Sequence, residues 1–175
     1  MLMMERAMEP VMLIIVNMTE RLGMPKYFGL LETSPSWKKP AFLEDKFYKF
    51  NESSRKNLIE IIDKINPEII LTTTHRVNYN LMEWKQIFEL RGIHVGKISK
   101  INDAKKAIDI KKRNIEIEEW FSNNKTAEFL ILDDDKSLNE LTDNLKNHWI
   151  QIDAMLGITQ SIKNQILEIV NTIEL

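Results

Sequence analysis

Val11–Glu20 has the sequence VMLIIVNMTE, an apolar run that ends in polar side chains. The run from Val11 to Val16 is uninterrupted, rich in branched residues and too short for a buried helix. Such a run is typical of a strand that is buried on both faces of a parallel sheet. Open α/β sheets place their chemistry just beyond the carboxyl ends of such strands. We therefore expect any active site to include the region of Asn17, Thr19 and Glu20.

The composition limits the classes of protein that fit. With 175 residues, of which 43% are hydrophobic and 29% charged, the chain is long enough for one domain with a substantial core. A net charge of −2 gives no overall basic field for nucleic acid or membranes. The lack of cysteine excludes disulfides and cysteine-based zinc sites. The N-terminal sequence is a poor signal peptide, and its apolar run is too short to span a bilayer, so we expect a cytoplasmic protein without a membrane partner.

Strand-like and helix-like patterns alternate along the rest of the chain. Further strands are predicted at Glu68–Leu71, Ile93–Ile98, Glu128–Leu132 and Trp149–Ile152. Helical spacing of apolar residues lies between them and after Thr159, and residues 138–145 form a short helix or turn. This alternation predicts a three-layer α/β fold with a mainly parallel five-stranded sheet.

A long segment, residues 18–50, separates the first strand from the first helix. It contains glycines and prolines together with many aromatic residues, which are unusual in a disordered linker. Long loops inside compact domains often form lids or binding elements, so this segment is a candidate cap over the strand end. The alternative is a packed surface loop.

Polar side chains follow three of the expected strands. They are Asn17 and Thr19 after the first, Thr72–Arg76 after the second and Asp133–Asp135 after the fourth. Because the carboxyl ends of parallel strands meet at one edge of a sheet, these groups should converge. Threonine hydroxyls and a cation can hold phosphate, and an acidic cluster can hold Mg²⁺. Both clusters also have an ordinary interpretation, as strand-end threonines and as a turn whose aspartates cap a helix.

Six motifs indicate a family. They are SWKKPAFL (36–43), IILTTTHR (69–76), EWKQIFELRGI (83–93), EEWF (118–121), LILDDDKSLNEL (130–141) and GIT (157–159). In this order they resemble the haloacid dehalogenase (HAD) superfamily of phosphatases, and more narrowly the HAD domain of Swiss Army Knife RNA repair proteins. The resemblance implies a single HAD-like domain over residues 1–175. It also implies a three-layer, Rossmannoid fold with helices on both faces of the sheet and a small loop-type cap within residues 18–50.

The resemblance assigns roles to residues at the strand ends. One hydroxyl would contact phosphate, one cation would neutralise it, and two acids would hold the Mg²⁺ that the family uses. These residues are Thr73 or its neighbour Thr72 for the hydroxyl, Arg113 or alternatively Lys112 for the cation, and Asp133 and Asp134 for the metal.

The first motif departs from the family pattern. The family begins with an aspartate nucleophile, a second aspartate two residues later as general acid/base, and then glycine, whereas this chain has Asn17, Thr19 and Glu20. A neutral amide is a far poorer nucleophile than a carboxylate. A threonine hydroxyl does not exchange a proton near neutral pH, so Thr19 cannot serve as a general acid. This motif therefore predicts that the inherited phosphatase activity is impaired.

Three functions fit these observations. The favoured one is a pseudo-phosphatase that binds a phosphate-containing ligand or a protein partner. The second is an active Mg²⁺-dependent phosphohydrolase acting on nucleotides or RNA ends. The third is an RNA-binding module that uses residues 97–113, where seven basic residues accompany two acidic ones.

Overall fold

The computed structural model describes residues 12–15, 50–124, 128–154 and 156–173. The strands are β1 (Met12–Ile15), β2 (Glu68–Leu71), β3 (Lys97–Lys100), β4 (Phe129–Asp133) and β5 (Trp149–Gln151). The α-helices are α1 (Glu52–Ile65), α2 (Leu81–Glu89), α3 (Arg113–Asn123), α4 (Asp143–Lys146) and α5 (Gln160–Ile173). Strands and helices alternate, so the predicted α/β class is confirmed.

The five strands form one sheet in the order β3-β2-β1-β4-β5, and every neighbouring pair is parallel. β1 lies at the centre, where Ile15 pairs with Leu71 of β2 and with Leu132 of β4. The strand on which the sequence argument rested is therefore the middle of the sheet. The carboxyl ends of β2 and β4 lie on either side of it.

Apolar side chains of alternate strand residues pack in two separate clusters. One cluster contains Ile69, Leu71, Leu130 and Leu132 with the buried faces of α1, α2 and α5. The other contains Ile70, Phe129 and Ile131 with Ile117 of α3 and Leu145 of α4. Because neighbouring strand residues point to opposite faces, the two clusters lie on opposite sides of the sheet.

The helix ends follow local sequence signals. Asn51 caps α1, since its side chain accepts hydrogen bonds from Ser53 N at 3.0 Å and Ser54 N at 3.1 Å. Asn80 and Glu83 form a reciprocal capping box at the start of α2. Both helix starts are therefore capped by side chains of residues close by in the sequence.

The predicted third strand, Ile93–Ile98, was wrong in position, because β3 begins only at Lys97. Gly92 has a φ of 68° and ends α2. Its N–H bonds to Glu89 O, and the next N–H, of Ile93, bonds to Phe88 O. This is a Schellman motif, so the backbone of Ile93 completes the helix end and is not available to the sheet.

The second half agrees with the sequence prediction in outline. Residues 138–145 include the end of a 3₁₀ turn, Lys136–Glu140, and the start of α4. β5 matches the predicted fifth strand to within one residue. Thr159 Oγ1 accepts a hydrogen bond from Ile162 N at 3.3 Å at the start of α5, as expected for a cap.

Two further predictions concern the cap over the strand end and the lack of a membrane-spanning segment. The expected cap, residues 18–50, lies outside them except for Phe50, which is buried in the core beside Phe88. Within the described part of the chain, every helix falls short of the length and apolar content that a bilayer crossing requires.

Candidate functional site

The carboxyl ends of β2 and β4 bring the polar groups that follow these two strands to one edge of the sheet. Thr72 follows the last residue of β2, and Asp133 is the last residue of β4. Both residues are fully buried. Asn17 and Thr19, the predicted nucleophile and acid/base positions, lie outside the described residues.

The two candidate threonines differ in what their hydroxyls do. Thr73 caps the 3₁₀ turn Thr74–Val77, because its Oγ1 accepts a hydrogen bond from His75 N at 3.3 Å. The Oγ1 atom of Thr72 is buried and forms no hydrogen bond with any residue that the structure describes. Of the two, Thr72 therefore has the buried hydroxyl that lacks a hydrogen-bond partner among the described residues.

Arg113, and not Lys112, enters this cluster. Arg113 is the first residue of α3 and is 7% exposed. Helical side chains tilt toward the N-terminus of their helix, so the first residue of α3 can reach back to the strand ends. Its Nη1 donates to the carbonyl oxygen of Thr72, and its Nε lies 3.2 Å from Asp133 Oδ2. Lys112 is exposed, with its Nζ 3.9 Å from Glu140 Oε2.

The three aspartates after β4 have different roles. Asp133 Oδ1 accepts a hydrogen bond from Asp135 N at 2.9 Å, and the Asp133 carbonyl accepts one from Trp149 Nε1 at 3.0 Å. Asp135 caps the following 3₁₀ turn by accepting from Ser137 N at 2.8 Å. Asp134 is half-buried. The helix-capping interpretation therefore holds for Asp135, while Asp133 belongs to the buried cluster.

Burial raises the pKa of Asp133 to about 7. The neighbouring Arg113 guanidinium and the hydrogen bond from Asp135 N oppose this shift, because both favour the charged carboxylate. The negative charges of Asp134 and Asp135 add to the increase. Both protonation states of Asp133 are consequently populated near neutral pH.

Sequence reasoning missed Glu116 and Asn102 of the cluster, and it included Arg76 only as part of the converging run Thr72–Arg76, without a role. Arg76 and Glu116 form an ion pair in which neither side chain has any exposure, and Asn102 bonds to both. A signal for Glu116 existed, since it lies on the same helix face as Arg113 and the buried Ile117 follows it. Arg76 stands within the quoted IILTTTHR motif, but its burial depends on partners far away in the sequence.

The described residues do not by themselves fit a magnesium site. Among them, no group of three acidic or histidine side chains converges as metal ligands would. The free oxygen of the Asp133 carboxylate faces the Arg113 guanidinium, which competes with a cation for the same charge. The prediction of Mg²⁺ at Asp133 and Asp134 thus gains no support from this part of the chain.

Comparison with known proteins agrees with the resemblance seen in the motifs. A family model described as the HAD domain in Swiss Army Knife RNA repair proteins matches residues 29–161, which include β2 to β5 and the cluster around Arg113. HAD domains are in general Mg²⁺-dependent. No curated protein and no solved structure gives a significant match. Because the family model spans well over half of the chain, the protein belongs to the family of HAD domains found in Swiss Army Knife RNA repair proteins.

Proposed function

We propose that this chain is a catalytically impaired HAD domain that binds a phosphate-bearing ligand at the carboxyl edge of its sheet. One observation carries the proposal. The buried Thr72 hydroxyl, without a hydrogen-bond partner among the described residues, lies on the residue whose carbonyl accepts a bond from Arg113. A hydroxyl donor and a guanidinium are thus held together at the edge where HAD proteins bind phosphate.

The chemistry of these two groups suits phosphate. A guanidinium is always charged and presents several N–H donors in one plane, which matches the oxygens of a phosphate group. A buried hydroxyl without a partner costs free energy, and a ligand oxygen that accepts its hydrogen bond removes that cost. Free phosphate, a phosphorylated small molecule and a nucleotide or RNA end share this group.

The residues after β1 support the loss of hydrolysis. In the sequence, Asn17 and Thr19 stand where the family has its nucleophile and its acid/base aspartate. Without a carboxylate at position 17, no aspartyl-phosphate can form there. We also propose Mg²⁺ as no more than an accessory to binding, since phosphate and Arg113 can pair without it.

The proposal extends to the domain as a whole. We assign residues 1–175 to a single three-layer HAD-like domain with residues 18–50 as its cap-like insertion. Two core clusters on opposite faces of the sheet support the three layers. The position of residues 18–50 in the sequence, between the central strand and α1, supports the cap.

Thermal unfolding with added inorganic phosphate tests the proposal. Ligands that bind only the folded state raise its stability, by roughly 2.7 kcal/mol at a concentration of 100 times Kd. We expect phosphate to raise the melting temperature without Mg²⁺, and we expect Arg113→Gln to abolish the increase. Lys112→Gln is the matched control, because the adjacent Lys112 side chain is exposed, and it should keep the wild-type response.

A single-turnover assay separates binding from hydrolysis. A phosphorylated oligonucleotide is mixed with excess protein and Mg²⁺, and we expect no release of inorganic phosphate. Release that disappears in Asp133→Asn and Asp134→Asn variants would establish the active phosphohydrolase instead. If neither phosphate nor nucleotides raise the melting temperature, the ligand-binding proposal is wrong and a role in binding a protein partner takes its place.

A further inference from the structure

The Arg76–Glu116 ion pair is the most deeply buried charged pair that the structure describes, and the proposed function does not use it directly. Both side chains have 0% exposure. Burying two charges is costly, and removing only one of them leaves an uncompensated charge in the interior.

Arg76 is anchored on several sides. Its Nη1 donates to the carbonyl oxygens of Thr72 at 2.6 Å and Thr73 at 3.1 Å. Its Nη2 donates to Asn102 Oδ1 at 3.3 Å and also pairs with Glu116 Oε1. The Nη1 and Nη2 donors of Arg76 are thus occupied by backbone and side-chain acceptors, whereas its buried Nε has no hydrogen-bond partner among the described residues. The side chain has no exposed surface through which a ligand could reach it.

Glu116 is shared between two guanidinium groups. Oε1 accepts from Arg76 and from Asn102 Nδ2, the latter at 2.8 Å. Oε2 lies 3.4 Å from Arg113 Nη1. Each carboxylate oxygen therefore has its own arginine. The positive charge of Arg76 therefore offsets part of the negative potential that Glu116 produces at Arg113.

The charges of the cluster balance when all groups are ionised. Among the described residues, the guanidinium groups of Arg76 and Arg113 face the carboxylates of Glu116 and Asp133. Arg113 keeps 7% exposure while Arg76 has none, so an incoming anion meets Arg113 first. Removing the charge of either Glu116 or Arg76 therefore changes the electrostatic attraction that this anion experiences.

We propose that Arg76 and Glu116 are positioning residues that set how strongly Arg113 attracts an anion. The negative charge of Glu116 lowers the positive potential at Arg113. The positive charge of Arg76, paired with the other oxygen of the same carboxylate, offsets part of this decrease. The inference rests on the proposed phosphate site, and it adds two residues that do not touch the ligand themselves.

The proposal predicts opposite effects for the two charge-removing variants. Glu116→Gln leaves a buried guanidinium partly uncompensated, so phosphate should bind about tenfold more tightly. Arg76→Gln removes the positive charge that offsets Glu116, so the potential at Arg113 becomes less positive and phosphate should bind about tenfold more weakly. A merely structural pair would destabilise the fold in both variants and would not change affinity in opposite directions.

The experiment is a calorimetric titration of each folded variant with inorganic phosphate, with folding checked by circular dichroism. The double variant Arg76→Gln/Glu116→Gln guards against misfolding, because it removes both charges of the pair together. Its net charge equals that of the wild type, and we expect an affinity within about threefold of the wild type. Glu60→Gln is the matched control, because Glu60 pairs with Lys163 between α1 and α5, on the other face of the sheet.

The outcomes separate this inference from the proposed function. Tighter binding in Glu116→Gln, or weaker binding in Arg76→Gln with the double variant near the wild type, supports the inference. Wild-type binding that is unchanged in every folded variant overturns it and leaves the phosphate site intact. If the wild type itself binds no phosphate, the proposed function fails and the inference falls with it.

Discussion

Arg113 Nε lies 3.2 Å from Asp133 Oδ2, although the two residues belong to different elements, the start of α3 and the end of β4. Both side chains are buried, at 6% and 0% exposure. The contact joins the predicted cation to a predicted acid, so the sheet edge contains an internal ion pair. This pair leads directly to a dependence of stability on pH.

Asp133 should make the protein less stable as pH rises from about 4 to about 7. Its pKa is raised from the usual 3.8 to about 7 by burial, so the folded chain binds this proton more tightly than the unfolded chain. The free energy of unfolding then falls with increasing pH in this window, by at most about 1.4 kcal/mol per pH unit for one proton. Urea unfolding at a series of pH values measures this slope.

Asp133→Asn should flatten that slope, because an amide does not titrate. Asp143→Asn provides the control, since the Asp143 side chain is fully exposed and lies away from the cluster. We expect this control to keep the wild-type profile. An Asp133→Asn profile as steep as that of the wild type would show that other groups cause the pH dependence.

Thr72→Val should separate ligand binding from folding. The substitution keeps the shape of the side chain and removes a buried hydroxyl that has no hydrogen-bond partner among the described residues. We expect the free energy of unfolding to stay within about 1 kcal/mol of the wild type or to increase. The rise in melting temperature with phosphate should disappear in Thr72→Val and persist in Thr72→Ser. A loss of several kcal/mol in Thr72→Val would mean that the folded chain itself uses the hydroxyl.

The sequence predicted the sheet edge better than it predicted the contacts within it. Apolar runs and alternation located β2, β4 and β5, because a strand buried on both faces leaves a pattern in its own residues. The misplacement of β3 has a local cause. Ile93 and Val95 are buried, as strand residues would be, but the hydrogen bonds of the Schellman motif withhold the Ile93 backbone from the sheet.

The identity of the cation was a question of geometry. Lys112 and Arg113 are neighbours with the same charge, and only the direction of the first turn of α3 separates them. The burial of Arg76 and the place of Glu116 in the cluster escaped prediction for a related reason. A charged residue in a sequence suggests a solvated surface, and its burial depends on partners that the tertiary fold supplies.

The basic stretch, residues 97–113, is less available to nucleic acid than its composition suggests. One group, the paired lysines, lies within 3.9 Å of glutamate oxygens and consists of Lys97, Lys111 and Lys112. The other group, the unpaired lysines, has no ion pair within the described ranges and consists of Lys100, Lys105 and Lys106. Lys100 and Lys105 line a cleft of about 610 Å³ that also contains Asn102.

Oligonucleotide binding should therefore depend on the unpaired lysines. If the three contact phosphates of a single strand, the logarithm of affinity should fall with the logarithm of salt concentration with a slope of about −2. Replacing the unpaired lysines by alanine should remove this slope in fluorescence anisotropy measurements with an RNA oligonucleotide. The same replacement of the paired lysines is the control, and equal losses in the two triple variants would contradict the prediction.

Gly157→Ala should destabilise the fold. Gly157 has a φ of 63°, and a Cβ there would lie 2.6 Å from Ser54 Oγ. That Oγ accepts a hydrogen bond from Ile158 N at 3.0 Å, while Asn57 Nδ2 donates to Ile158 O at 2.8 Å. The GIT motif is thus held against α1 by buried hydrogen bonds.

The backbone strain and the close contact with Ser54 together should cost roughly 2 to 4 kcal/mol in the free energy of unfolding, measured with urea. Gly96→Ala is the matched control, because φ at Gly96 is not in the left-handed region and the added Cβ would meet only the side-chain oxygen of Asn66, at 2.9 Å. That side chain can move, so we expect a loss of about 1 kcal/mol or less. Equal losses at the two glycines would contradict the role of Gly157 as the point where the chain turns against α1.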